Sequence, residues 1–325
     1  MAIGQSASAY EPRLIELGET DEWCKVLPRN GARATLLVAN EEAATDARVY
    51  LPSAASFDDP FCGDFNGSSA YVAVNALPAS HTKFGACTAG SIEARILLAA
   101  AADERIIIGF SDASVSNTHI KFGFDGTDHL FAEASLAGVV QWTVTADDVT
   151  LEGGWVKVML VHDAIRPTLY ADGANIAQTR TGDYKTKWFS TITGLDEATI
   201  GAVADAGTEE GFFQGKIDWL QVRDLNEGGK VSLAEWHFDD TDATAATTVA
   251  DHAKTFGAEG DTALTAGAVT DATIVEKSNG RLLPSDSERS WSVDDSGDNT
   301  EIHNSVWVKS SIASHDIVVY ETRRM

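Results

Sequence analysis

The sequence predicts an all-β protein, a sandwich or barrel of short antiparallel strands, and three observations carry that prediction. Apolar and polar residues alternate in run after run, the period of a half-buried strand. Turn pairs punctuate the runs, at Asp125-Gly126, Gly153-Gly154, Asp172-Gly173 and Gly228-Gly229. No stretch keeps a helical period of about 3.6 residues between caps.

The elements follow in order. Residues 23–27, 33–38 and 48–51 make an N-terminal strand cluster, and Leu51-Pro52-Ser53-Ala54-Ala55-Ser56 reads as a linker behind it. Residues 91–99 place Ile92, Ala94, Ile96 and Leu98 on one face and Glu93 and Arg95 on the other. Residues 105–110, 121–124 and 141–144 are further strands. Residues 155–161 are apolar on both faces, as expected for a strand in the middle of a sandwich. Residues 241–273, rich in Ala, Thr, Gly and Asp, read as loop or weak strand. After a polar break at 286–300 come two last strands, at 305–308 and 316–320. Three parts result: an N-terminal β segment (1–56), a main domain (57–280) and a C-terminal β segment (281–325).

Composition narrows the function. The chain has 325 residues, 24 Lys and Arg against 49 Asp and Glu, and a net charge of −25. A phosphate-binding face needs clustered cations, so nucleic acid is excluded as the main partner. The longest strongly apolar run, 96–102, falls far short of the ~18 residues of a membrane span, so no membrane insertion is expected. Cys24, Cys62 and Cys87 are too few for a disulfide scaffold and are expected free and partly buried. The opening Met1-Ala2-Ile3-Gly4-Gln5-Ser6 lacks the basic and apolar regions of a secretory signal. An acidic β-protein of external character made without such a signal fits a virus particle freed by lysis.

Five motifs in order resemble the laminin-G-like, concanavalin A-type jelly roll. They are Phe65-Asn66-Gly67-Ser68-Ser69-Ala70-Tyr71-Val72, Gly154-Trp155-Val156-Lys157-Val158, Leu169-Tyr170-Ala171-Asp172-Gly173, Thr199-Ile200-Gly201, and the run Phe213-Gln214-Gly215-Lys216-Ile217-Asp218-Trp219-Leu220-Gln221-Val222. Glu235-Trp236-His237-Phe238-Asp239-Asp240 is similar to a segment common beside such domains. The resemblance selects an antiparallel two-sheet jelly-roll sandwich for the main domain, with small additional β segments at both termini. Asn66 and Ala70 depart from acidic residues of the family's opening strand, and Val156-Lys157 from its His pair, so no ligand site carries over directly. Asp172-Gly173 suits a two-residue hairpin turn. Gly215 points to a close backbone approach or a bulge at a sheet edge. Trp155 and Trp219 are expected in the core rather than as ligand platforms.

The same fold houses glycanases with two carboxylates on one strand face, at i and i+2 or i+4. The strand around Asp218 has Lys216 and Leu220 at those positions, so no catalytic pair forms there and no enzyme is expected. His119 and His129 are the closest strand histidines and read as surface or core residues without a ligand. Calcium is the one cofactor considered, at the acidic turn Asp125-Gly126-Thr127-Asp128, through Asp125 and Asp128. The competing reading is an ordinary hairpin turn. For glycans, the loop Asp183-Tyr184-Lys185-Thr186-Lys187-Trp188-Phe189 concentrates aromatics and cations. Tyr184, Lys185, Lys187 and Trp188 are its candidate contacts, unless Trp188 and Phe189 tuck beneath the loop.

The function expected is a non-enzymatic structural protein on a tailed-phage virion, a head decoration or a tail or fibre component, that contacts host-surface glycans. Its location is then the virion surface, extracellular after lysis. Its partners are other virion proteins of capsid or tail, and copies of itself, with a trimer as the expected assembly. The alternatives are a free carbohydrate-binding or adhesion protein of a bacterium and, behind it, a polysaccharide-degrading enzyme. Residues 1–56 and 281–325 are each too short to bury a core alone. They are expected to anchor the protein to the particle or to trimerise it; the competing reading is that they pair with each other or pack on the jelly roll within one chain.

Overall fold

A computed structural model describes residues 61–75, 82–99, 103–147, 151, 154–226 and 231–238, together with strands at 11–17, 24–26, 34–40, 47–50, 248–249, 267–270, 273–276, 281–283, 287–293, 306–310 and 315–323. The linker at 51–56 and the Gly228-Gly229 turn lie outside the described residues. The chain divides into two compact units, Phe61–Val275 and a second made of Met1–Pro60 with Glu276–Met325.

The larger unit is a sandwich of two antiparallel sheets. Edge to edge, the first runs Gln178–Thr181, Val139–Ala146, Leu130–Leu136, His119–Phe124, Arg105–Ser111, Glu197–Ile200, Tyr71–Asn75, Gly267–Thr270 and Thr248–Val249. The second runs Ala174–Asn175, Pro167–Ala171, Trp155–His162, Gly90–Leu98, Gln214–Asp224, Phe61–Asn66 and Thr273–Glu276, with Val231–His237 also paired to Gln214–Asp224. One short helix, Thr82–Ala86, is the only helix among the described residues, and none there is long and apolar enough to cross a membrane.

Alternation in sequence becomes the inner faces. Ile92, Ala94 and Ile96 meet Phe122, Ala132, Trp142 and Val144 in one continuous buried core. Each Ile, Val and Phe side chain among them contributes roughly 1.5–3 kcal/mol on leaving water. The opening and closing motifs meet there: Phe65 packs edge-on against Phe213 and Phe238, with ring centroids 6.1 and 5.9 Å apart. Asn66, which stands where an acid was expected, accepts the backbone N–H groups of Ser68, Ser69 and Ala70 and so builds the first turn.

The Asp172-Gly173 turn has φ of 46° and 79°, and Ala171 faces Ala174 across it, as a two-residue hairpin requires. Gly215, at φ 140°, permits close approach: a Cβ there would lie 2.3 Å from the Leu97 carbonyl oxygen. Its strand is interior rather than at an edge, which corrects the expectation. Trp219 is buried, as expected, whereas Trp155 differs from expectation. Its strand sends Val156 and Val158 into the core, while Trp155 stays half-buried on the outer face with the Arg95 guanidinium 4.8 Å from its ring.

In the smaller unit the two terminal segments interleave. Glu11–Leu17 and Ala34–Asn40 flank His315–Arg323, and Ser287–Val293 completes that sheet. Cys24–Val26 and Ala47–Tyr50 flank Val306–Ser310, with Arg281–Leu283 at the edge. The stretch 286–300, read as a polar break, therefore carries a strand.

Candidate functional site

The loop 183–189 is pinned from beneath. Trp188 is fully buried. Its indole stacks on the His162 imidazole, centroids 4.9 Å apart, and lies 6.2 Å from the Trp142 ring. Trp142 Nε1–H donates to the Lys187 carbonyl at 2.7 Å, and His162 Nε2–H donates to the Lys185 carbonyl at 2.8 Å. Phe189 presses edge-on against Phe84 and Phe110. The expectation of Trp188 as a sugar platform is thus overturned: its faces are occupied by protein rings. Tyr184 remains 55% exposed, and Lys185 and Lys187 are half-exposed beside it. The backbone N–H of Tyr184 donates to the Gln141 carbonyl, which fixes the loop to the outer strands of the first sheet.

On that sheet's outer face the register aligns a polar row, Thr181, Thr143, Glu133 and Lys121, one residue from each of four adjacent strands. Glu133 is its centre. It accepts His119 Nε2–H at 3.1 Å and the Thr143 hydroxyl at 3.2 Å, with Lys121 Nζ 3.8 Å away. Lys121 also donates to Glu104 at 2.9 Å and stands 5.5 Å from the Phe131 ring. Burial works to raise the Glu133 pKa, but the His119 hydrogen bond, the Lys121 and His119 charges and the Thr143 hydroxyl outweigh it. The carboxyl is held below the usual range. Beyond Phe131 the face is closed: Phe131, Ile106 and Val203 form a small separate cluster, Val203 coming from the hairpin of Val203–Asp205 and Thr208–Glu210. The polar row is therefore an ordered set of donors and acceptors, partly exposed, and Tyr184 follows its edge residue Thr181 by three positions in the chain. Sequence reading missed it because cross-strand register is not visible in one strand. The available signal was a lone charge, Glu133, between Ala132 and Ala134 on an otherwise apolar strand.

The acidic turn does not fit calcium. Asp125 accepts the Thr127 N–H and hydroxyl at 2.8 Å each and the His129 N–H at 3.1 Å, closing the turn on itself. Burial opposes ionisation of Asp125, yet the Thr127 and His129 bonds hold its carboxyl below the usual range. Asp128 pairs with the buried Arg105. A hard cation wants six to eight oxygen ligands. Among the described residues no group of three or more His, Cys, Asp or Glu could hold a metal ion.

Other chemistry-bearing groups are engaged in structure. Asp218 is fully buried at a bulge between Ile217 and Trp219 and pairs with Arg95. Cys62 and Cys87 are buried, and burial, with the nearby Asp224 charge, pushes the Cys87 thiol up to about 12. Glu197 is raised above the ordinary carboxyl range, first by burial and then by Asp196, Glu209 and Asp112. It lies three strands from Glu133, about 14 Å at the ~4.8 Å strand spacing. The two carboxyls of a glycosidase stand about 5–9.5 Å apart.

The profile of the concanavalin A-like lectin/glucanases superfamily matches residues 66–228, half of the chain. Among solved structures, the CBM40 of the Ruminococcus gnavus IT-sialidase bound to α2,3 sialyllactose is 17% identical with a TM-score of 0.41, over 49% of this chain and 89% of that one. The NanB sialidase of Streptococcus pneumoniae, as its K499G mutant, is 15% identical with a TM-score of 0.39, over 58% of this chain and 28% of that one. Domains LG4-5 of the mouse laminin α1 chain are 14% identical with a TM-score of 0.37, over 50% and 40%. Comparison with curated proteins gives no significant match.

Proposed function

This chain belongs to the concanavalin A-like lectin/glucanases superfamily, and from that premise we propose a non-catalytic protein that contacts glycans and is displayed on the surface of a tailed-phage virion. The polar row from Thr181 to Lys121, with exposed Tyr184, carries the glycan part. Sugar hydroxyls need paired donors and acceptors held in fixed positions, and Glu133, Lys121, His119 and Thr143 supply both kinds. An aromatic ring at the rim adds an apolar face for stacking. The absence of catalysis is supported by the ~14 Å between Glu133 and Glu197 and by the burial of Asp218 against Arg95.

Display is supported by the net charge of −25, which keeps a dense surface array soluble, and by a second β unit built from both termini. Other virion proteins, of head or tail, are then the partners of that unit, and a trimer the expected assembly. Two measurements test the reading. Purified virions should contain the chain in stoichiometric amount, and the full-length protein should bind glycans on an array in a manner abolished by Tyr184→Ala with Glu133→Gln. Binding that survives the double substitution removes the polar row as the site; absence from virions removes the display role.

A further inference from the structure

A cavity of about 400 Å³ opens at the end of the sandwich away from the 183–189 loop. In the Gly90–Leu98 strand, Gly90 faces His162 near the 183–189 loop, whereas Leu97 faces Trp155. Seven residue steps at ~3.3 Å put the cavity about 23 Å from that end. Leu97 is its apolar side chain on the outer face, Phe65 and Leu98 border it while their side chains belong to the buried core, and its polar groups are Asp64, Lys216 and Gln214.

Lys216 sits between Asp64 and Leu97 in the ladder, with Trp155 next to Leu97, so all four share the outer face of the second sheet. Gly215 keeps the wall beside them at backbone level, since a Cβ there would meet the Leu97 carbonyl oxygen. Among the described residues, the Lys216 ammonium, the Asp64 carboxylate and the Gln214 amide make no side-chain hydrogen bond or ion pair, although Lys216 and Asp64 are direct cross-strand partners. By contrast Arg95, Lys121, Lys157 and Arg105 all hold carboxylates. Polar groups left unused around an apolar side chain in a cavity mark a candidate ligand pocket.

We propose that this cavity binds a neutral pyranose residue, with a vicinal pair of hydroxyls between Asp64 and Lys216 and the ring over Leu97. A diol suits the pair because one hydroxyl donates to the carboxylate while its neighbour accepts from the ammonium. One cation beside one anion leaves no net charge to select an acidic sugar. The site stands apart from the polar row and does not depend on it.

The test uses the full-length protein and neutral methyl pyranosides (glucoside, mannoside, galactoside) as probes, with glucuronic acid and serine as charged and zwitterionic contrasts. The readout is the indole N–H resonance of Trp155, assigned by its loss in Trp155→Phe. A neutral pyranoside should shift it saturably in the millimolar range. Lys216→Met and Asp64→Asn should each weaken that binding at least about tenfold, the loss of one charge-assisted hydrogen bond. Tyr184→Ala should leave it unchanged, so failure here and failure of the polar row are told apart. If either variant does not fold, the other decides. The proposal is overturned if no neutral pyranoside shifts Trp155, if only glucuronic acid or serine does, or if the response survives the substitution in a folded variant.

Discussion

The imidazole of His162 lies almost flat on the indole of Trp188, 13° from parallel, and one ring nitrogen carries the loop above it through the Lys185 carbonyl. The other nitrogen accepts the Ala164 N–H at 3.3 Å, which fixes the tautomer and leaves no place for a second proton. Burial is the main cause that lowers the His162 pKa, against weaker raising effects of the Lys185 carbonyl, Asp163 and the Thr88 backbone.

Acid should therefore loosen this end of the sandwich. With the folded pKa depressed, the unfolded chain binds more protons below about pH 6.5, so stability rises with pH there and is lost as pH falls. The loss is up to about 1.4 kcal/mol per pH unit for this one group. Denaturant melts between pH 7.5 and 5.5 should show the slope, and His162→Gln, which keeps a donor for Lys185 but does not titrate, should flatten it.

Trp188→Ala should cost about 3–5 kcal/mol, the penalty for emptying a large buried aromatic site. Two of its neighbours, Trp142 and His162, would face the void, and the loop would lose its anchor. A lowered urea midpoint checks stability. Glycan binding should fall with it even though Trp188 touches no ligand, whereas Trp188→Phe should restore most of both.

Glu133→Gln separates binding from folding. The amide keeps size but loses charge, so bonds from His119 and Lys121 weaken while the core beneath, Ala132 and Ala134, is untouched. Affinity for any glycan bound on the row should drop about tenfold, the worth of one charge-assisted bond. The lowered carboxyl pKa adds a stability difference with the opposite window to most histidine effects of raised pKa: it is present above the unfolded pKa near 4.3 and lost as pH falls through the folded value.

Much of this was legible in the strand pattern and much was not. Alternation at 91–99 names the inward residues because a strand has only two faces, and Asp172-Gly173 names its turn because few residues tolerate positive φ. The direction of Trp188 was not legible. Its partners Trp142 and His162 lie on strands of the two different sheets, and only the closed sandwich brings them under the loop. The polar row has the same origin, since Thr181, Thr143, Glu133 and Lys121 become neighbours only through register. The pairing of Asp218 with Arg95, far apart in sequence, was equally hidden, although the missing second carboxylate at Lys216 and Leu220 was plain.

The interleaved termini change what truncation should do. Were the two segments separate attachments, removing one would leave the other intact. Instead His315–Arg323 lies between Glu11–Leu17 and Ala34–Asn40, and Val306–Ser310 between Cys24–Val26 and Ala47–Tyr50. Deleting residues 1–50 strips both partners from each of these C-terminal strands and leaves their N–H and C=O rows open. Unpaired rows of this kind recruit strands from other molecules. Deleting residues 1–50 or 281–325 alone should thus produce concentration-dependent self-association, seen by sedimentation. Deleting both should leave a soluble sandwich that melts cooperatively, because its core is drawn from Phe65 to Phe238. A single truncation that stays monomeric would show that the remaining segment closes on itself, and the interleaving would then not be what holds the smaller unit together.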